Sequence, residues 1–397
     1  MGGSYDRGFK NIKFFYRLCD NGWNTITTDH DLFRYQNSMT QQQKKQPYIN
    51  YIYTRMSHHA AHSGYDQLIQ HIDSRVIEPN MLHRALDWLP ERILANIRRT
   101  AGTWYNSHAL KQELQNIPAL VFKSGRIYHF LYGEDSFHYS GYLNLNRSNK
   151  MVATFHMPPD KFREIMSGTR HLATLDAAVI VAPNQKEMLR SVIDPAKVHL
   201  IPHGVDVHYF QPPAAGQLFT KNLIFVGSHM RNFPMLRRVI EELQKHDADL
   251  SFTLVTLKSC FEQFAGLKNT TLHAAITEDE LRALYQNADL LLMPMHDCTA
   301  NNAVLEGMAC GLPVIATRVG GIDLYVNDSC AILVAPDDVR GMADAALSLI
   351  TNRERRYSMA AHARKMAEQF AWEVIAGTMK ALYQHLCNHQ YKTAQQQ

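Results

Sequence analysis

Short apolar runs alternate with amphipathic stretches along most of the chain, and that alternation predicts strands and helices in turn. The second half is the more regular. It predicts strands over residues 223–227, 252–256, 270–273, 289–293, 314–316 and 331–334, with helices over 235–244, 278–287 and 339–350 between them. In the first half, apolar runs at 48–54, 127–132, 151–155 and 177–182 read as further strands, each followed by a polar or proline-bearing loop. Strands alternating with helices mean βαβ units and parallel sheets with right-handed crossovers. Between the two series, residues 198–206 read as a strand ending in a turn, and Pro212 and Pro213 follow it as a domain boundary would require. An apolar helical face at Leu89, Ile93, Leu94 and Ile97 predicts a helix within 86–105, and the tail 357–387 reads as helical throughout.

One stretch, 297–317, stands out from this pattern. It reads as a loop, a short helix over 303–310 with Asn301 or Asn302 as its cap, a stop at Gly311 and Pro313, and a strand. Glu306 is the lone carboxylate in that small, apolar helix. Free amides at a helix N-terminus hold phosphate readily, and an acid one turn on suits the ribose of a nucleoside diphosphate.

Other candidates sit where strands end. Gly227-Ser228-His229-Met230-Arg231 lies between a strand and a helix, so its glycine can let backbone approach a phosphate that Arg231 pairs with; a surface loop with a solvated arginine is the alternative. Gly320 and Gly321 form another tight turn. The loops Gly133-Glu134-Asp135 and His156-Met157-Pro158-Pro159 follow first-half strands, at the carboxyl ends that line a ligand crevice in open α/β sheets. The loop carrying His62, Ser63, Gly64 and Tyr65 follows the first strand and faces the same crevice. His58 and His62 have metal-compatible spacing in a helix, but no third ligand accompanies them, which favours substrate contact or loop packing.

Composition narrows the classes. A chain of 397 residues, 46% hydrophobic and 20% charged, is globular and long enough for two domains. A net charge of +4 is too mild to indicate nucleic-acid binding. Six scattered cysteines without a Cys-x-x-Cys pair indicate neither a disulfide framework nor structural zinc, and suit a reducing cytoplasm. No apolar run is long enough to cross a bilayer. Arg92, Arg98 and Arg99 beside Trp88 and Trp104 leave two readings of 86–105, a helix lying on a membrane surface or, more commonly, a surface helix packed on its own sheet. Residues 1–46, ending in a Gln- and Lys-rich tract, read as an extension or linker with no assignable role.

With Gly227, the 201–206 turn, Glu306 and Val319-Gly320-Gly321 in this order, the chain resembles the retaining glycosyltransferases of the GT-B fold, in the large group called family four. The run 305–316 carries most of the likeness, which is best over 177–386 and weaker over 48–162. The resemblance implies an α/β fold of two facing Rossmann-like domains with a cleft between them: an acceptor-side domain over 47–205, a donor-binding domain over 206–375, and a closing helix and tail over 376–397. It implies transfer of a sugar, with retention, from a UDP- or GDP-sugar to a glycan or lipid-linked hydroxyl acceptor, as in glycolipid or surface polysaccharide synthesis. No cofactor, metal or nucleic-acid partner is implied, and the location is cytoplasmic with peripheral membrane contact left open.

Carried over by position, Glu306 holds the donor ribose, while Gly227, Ser228, Arg231, Asn301, Asn302 and Leu305 surround the donor. His156 lies beside the transferred sugar, and Arg231 with helix N-termini stabilises the leaving diphosphate during front-face attack. The chain departs from the pattern in two places. Cys298 stands eight positions before Glu306, where a second glutamate is usual, and Ser228 follows the strand glycine, where an arginine is usual. An epimerase or phosphorylase on the same fold, or a non-catalytic subunit that binds sugar nucleotide, are the rival readings.

Overall fold

The alternating pattern resolves into two six-stranded parallel sheets. The computed structural model describes residues 47–53, 61–146, 148–214 and 219–394, so the expected extension 1–46 and His58 lie outside the described residues. The first sheet comprises β1 (Tyr48–Ile52), β2 (Arg75–Val76), β3 (Arg126–Phe130), β4 (Lys150–Phe155), β5 (Ala177–Ile180) and β6 (Val198–Leu200), in the order β2-β1-β3-β4-β5-β6. The second comprises β7 (Asn222–Val226), β8 (Ser251–Val255), β9 (Thr270–His273), β10 (Leu290–Met293), β11 (Val314–Thr317) and β12 (Ala331–Val334), in the order β12-β11-β10-β7-β8-β9. Central strands such as β5, β10 and β11 are buried at every position, as a parallel sheet covered on both faces requires.

Strand order fixes where ligands can go. In each sheet the direction of winding reverses once, between β1 and β3 in the first and between β7 and β10 in the second. Crevices open at the carboxyl ends of such strand pairs. The loops entering those crevices are the ones carrying residues 61–64, Leu131 to Glu134, Gly227 to Arg231, and Met295 to Asn301.

Two elements differ from expectation. Residues 86–105 do not form one helix. Pro90, lacking an amide hydrogen, caps Glu91–Ile97 after a break from Met81–Leu86. Of the expected apolar face only Leu94 is buried, in a small cluster with Ala101, Tyr105, Ala109 and Leu110. The tail is likewise two helices, Arg353–Ala367 and Trp372–Ala394, joined through a 3₁₀ turn and an extended Ala371. The break exists because Val205 N–H donates to Phe370 O at 2.9 Å and the Trp372 indole lies on Gly204, where a Cβ would come within 2.4 Å of the ring. From there the last helix runs against the first sheet, and Tyr383 Oη meets His129 Nδ1 at 2.5 Å and donates to Tyr51 Oη at 3.1 Å. Tyr65–His71 is a 3₁₀ helix, entered from Gly64 at φ 114°, a conformation that favours glycine.

Candidate active site

Glu306 sits on the helix Asn302–Ala309, whose residues Ala303 to Ala309 are all buried. Gly307 lets this helix lie close on β10, since a Cβ there would come within 2.7 Å of Leu291 Cδ2. Asn301 is the cap, its Oδ1 accepting Val304 N–H at 3.3 Å. The Glu306 carboxylate is 5% exposed, and burial pushes its pKa up. Two hydroxyls oppose that shift: Ser63 Oγ donates to Oε1 at 2.6 Å and Tyr285 Oη to Oε2 at 3.0 Å. A carboxylate that already accepts two hydroxyls has the geometry a vicinal diol needs. The small cavity beside it brings together His62, Ser63 and Gly64, the turn His203 to Val205, and Asn302, Leu305 and Glu306.

A second group forms around Arg231. Its guanidinium donates to Val226 O at 3.1 Å, His229 O at 3.0 Å and Asn301 Oδ1 at 3.2 Å. Burial lowers its pKa to about 10, which leaves it cationic at neutral pH. Gly227 makes this possible: at φ 106°, it has no Cβ to come within 2.7 Å of Arg231 Nη2. Arg231 is therefore a partly buried brace rather than a solvated surface arginine, and it fixes a positive charge beside the N-terminus of the Glu306 helix. Asn301 is fully engaged by protein, since its amide nitrogen also meets Met295 Sδ at 3.0 Å. Ser228 is half-buried in the same loop.

His156 belongs to a third group. Its Nε2 donates to Leu131 O at 2.8 Å, which makes Nδ1 the acceptor of the neutral ring. Around it stand the rings of Tyr65 (4.8 Å), Tyr132 (4.9 Å) and His203 (6.2 Å). Its backbone is held from both halves. Thr299 Oγ1 donates to His156 O at 2.5 Å, and Glu134 accepts the amides of His156 and Met157. Burial raises the Glu134 pKa to about 7. Above that pH the group is an ionised acceptor that grips both amides; below it, a neutral acid with weaker bonds. Activity is therefore expected to rise with pH through about 7, and the pH profile of Glu134→Gln should lack that limb.

Cys298 does not face the cleft. It is buried, its Sγ donates to Val319 O at 3.4 Å, and burial pushes the thiol up to about 11, so it stays protonated. Asp297 turns back on its own chain, its Oδ1 accepting Cys298 N–H at 2.8 Å. His62 is held by Asp206 at 2.7 Å and stacks on Tyr209. Tyr285, Glu278 and Thr299 were not foreseen from sequence. Tyr285 is the buried residue of the amphipathic helix Glu278–Gln286.

Two doubly wound parallel sheets, with their strand-end loops meeting at one site, define the GT-B architecture. Solved structures agree on the fold. The sucrose-phosphate synthase of Thermosynechococcus elongatus superposes with a TM-score of 0.62 at 18% identity, covering 85% of this chain and 99% of that one. Anabaena HepE in complex with UDP and glucose gives 0.62 at 11% identity, covering 85% and 100%. Residues 220–352 match the family model for glycosyl transferases group 1. Relatives include the D-inositol 3-phosphate glycosyltransferase of Xylanimonas cellulosilytica, 25% identical over 57% of this chain and 60% of that protein. Another, from Arabidopsis thaliana, is a component of phosphatidylinositol N-acetylglucosaminyltransferase, 25% identical over 53% of this chain and 50% of its own. The chain thus spans less than two thirds of the length of these curated relatives.

Proposed function

We propose that the chain is a retaining glycosyltransferase that moves a sugar from a nucleoside-diphosphate sugar to a hydroxyl acceptor. The observation that carries this reading is Glu306, a buried carboxylate holding two hydroxyls at the reversal point of the second sheet. In this scheme 206–375 binds the donor, with ribose on Glu306 and the diphosphate between the 227–231 loop and the N-terminus of Asn302–Ala309. Arg231 and that helix end stabilise charge developing on the leaving diphosphate, without a metal. The region 47–205 presents the acceptor, and the His156 ring lies beside the transferred sugar. Glu134, the carboxylate beside His156, is spent on the His156 and Met157 amides, so front-face attack assisted by the leaving phosphate fits better than the two-carboxylate scheme.

HepE is solved in complex with UDP and glucose, which supports a UDP-sugar as the first donor to try. The names of the two relatives support an inositol-type or lipid-linked hydroxyl as the acceptor class, and a role in glycolipid or glycan synthesis. Screening UDP- and GDP-sugars for a rise in melting temperature identifies the donor, since a ligand of the native state must stabilise it. The proton NMR spectrum of the product then reads the anomeric configuration. Inversion would reject the retaining mechanism, and epimerised donor in the absence of acceptor would favour the epimerase.

Peripheral membrane contact has its own support. Trp88 is 90% and Met81 86% exposed, and Ile93 and Ile97 are partly exposed, with Arg84, Arg92 and Arg99 on the same short helices and turn. Apolar anchors among cations suit an anionic bilayer. Vesicles containing anionic lipid are expected to sediment with the wild type and several-fold less with Trp88→Ala, an effect absent with zwitterionic vesicles.

A further inference from the structure

The loop 61–64 from the first sheet is seated on the second half by several contacts. The amides of Ala61 and His62 both donate to the Glu278 carboxylate, at 2.6 and 2.8 Å. His62 Nδ1 meets Asp206 Oδ2 at 2.7 Å, and its ring stacks on Tyr209 with centroids 3.7 Å apart and planes within 1°. Ser63 Oγ then reaches Glu306 Oε1 at 2.6 Å, across 243 residues of sequence. Gly64, at φ 114°, provides the turn that aims Ser63 into the crevice.

This seating leaves little room. The cavity at Glu306 leaves about 10 Å³ of free space, scarcely room for one water, whereas pockets for small ligands run from about 300 Å³ upward. A nucleotide cannot enter while the loop stays in place. Ser63 also makes with Glu306 the same kind of bond, hydroxyl to carboxylate, that a ribose hydroxyl would make.

We infer that the loop 61–64 is a built-in occupant of the donor-ribose position: Glu278 seats it, Ser63 satisfies Glu306, and the incoming nucleoside diphosphate displaces it. The inference rests on the donor reading proposed above. It gives Oε1 of a carboxylate buried at 5% exposure its partner, Oε2 being held by Tyr285. It also makes donor binding an exchange of one hydroxyl for another, so part of the ligand's hydrogen-bond gain offsets loss of the Ser63 contact.

The test titrates the full chain with UDP and with GDP by calorimetry, comparing wild type, Ser63→Ala and Glu278→Gln. Ser63→Ala is expected to bind the preferred nucleotide about ten-fold tighter, because a hydrogen bond to a charged group no longer has to be broken. Glu278→Gln, which leaves both Ser63 and Glu306 intact, should also bind more tightly. In wild type, saturating nucleotide should speed hydrogen exchange at the Ala61 and His62 amides. A Ser63 that merely supports the fold or contacts the ligand would weaken binding when removed. Unchanged or weaker binding by Ser63→Ala, or amides equally protected with and without nucleotide, overturns the inference and leaves the donor reading standing. Absence of UDP or GDP binding in all three proteins overturns the donor reading itself.

Discussion

Replacing Glu306 with Gln is expected to lower kcat/KM for transfer from the sugar nucleotide by roughly 10²–10³-fold, with a melting temperature close to wild type. Glutamine keeps the volume of the side chain, so the tightly packed helix Asn302–Ala309 and its contact with β10 survive. What changes is the acceptor count. An ionised carboxylate offers two charged accepting oxygens, whereas a carboxamide keeps one neutral acceptor and replaces the other with a group that can only donate. Each hydrogen bond to a charged partner is worth about 1.5–3 kcal/mol, and losing the charge from both bonds of a vicinal diol, with one acceptor gone, gives the stated range. Tyr285 Oη retains a carbonyl partner in one rotamer of the amide, so stability should change far less than activity. A melting temperature that falls in step with activity would make Glu306 a structural carboxylate and remove the main support for a ribose site.

Gly320→Ala should be the most damaging conservative change outside the donor contacts. At φ 56° the backbone is already in the region that non-glycine residues avoid, and an added Cβ would lie 2.0 Å from Cys298 O and 2.3 Å from Asp297 Oδ1. Neither the backbone nor the short aspartate can yield without moving the loop 297–299. The backbone strain alone costs about 1–3 kcal/mol. Movement also strains the contacts that pin this loop: Gly321 N–H and Asn184 Nδ2 donating to Cys298 O at 2.9 and 3.0 Å, and Thr299 Oγ1 donating to His156 O at 2.5 Å. The expected result is a melting temperature several degrees lower together with at least a ten-fold loss of transfer, because His156 shifts with Thr299. Gly168→Ala is the control, since nothing lies within 4 Å of its added Cβ. Thermal melts and initial rates on the two variants check this directly.

The sequence was most legible where one local rule decided the structure. β9 and β12 have the expected bounds, because each is a short run of strand-forming residues between turn residues. Glu306 was visible because an acid in an otherwise apolar helix must have a purpose, and Asn301 because capping is a local hydrogen bond. Pro90 was equally local, and its break between Met81–Leu86 and Glu91–Ile97 could have been read from the proline itself.

Contacts set by tertiary arrangement were not legible. Nothing in the pattern pairs Ser63 with Glu306 or directs Tyr285 to the other oxygen, because those bonds depend on how the two sheets face one another. The break at Ala371 was hidden for the same reason, since it is imposed by Trp372 docking on Gly204. Cys298 and Arg231 show the intermediate case. The departures at Cys298 and Ser228 were plain in the sequence, but only the fold shows that the thiol packs inward on Val319 and that Arg231 braces Asn301.

The central claim is that this cleft binds a nucleoside-diphosphate sugar through Glu306. Calorimetric titration of the wild-type chain with UDP- and GDP-sugars tests it most directly. The account predicts saturable one-to-one binding of a sugar nucleotide, and loss of most of that affinity in Glu306→Gln. A folded wild-type protein that binds neither class, or a Glu306→Gln variant that binds as tightly as wild type, would contradict it.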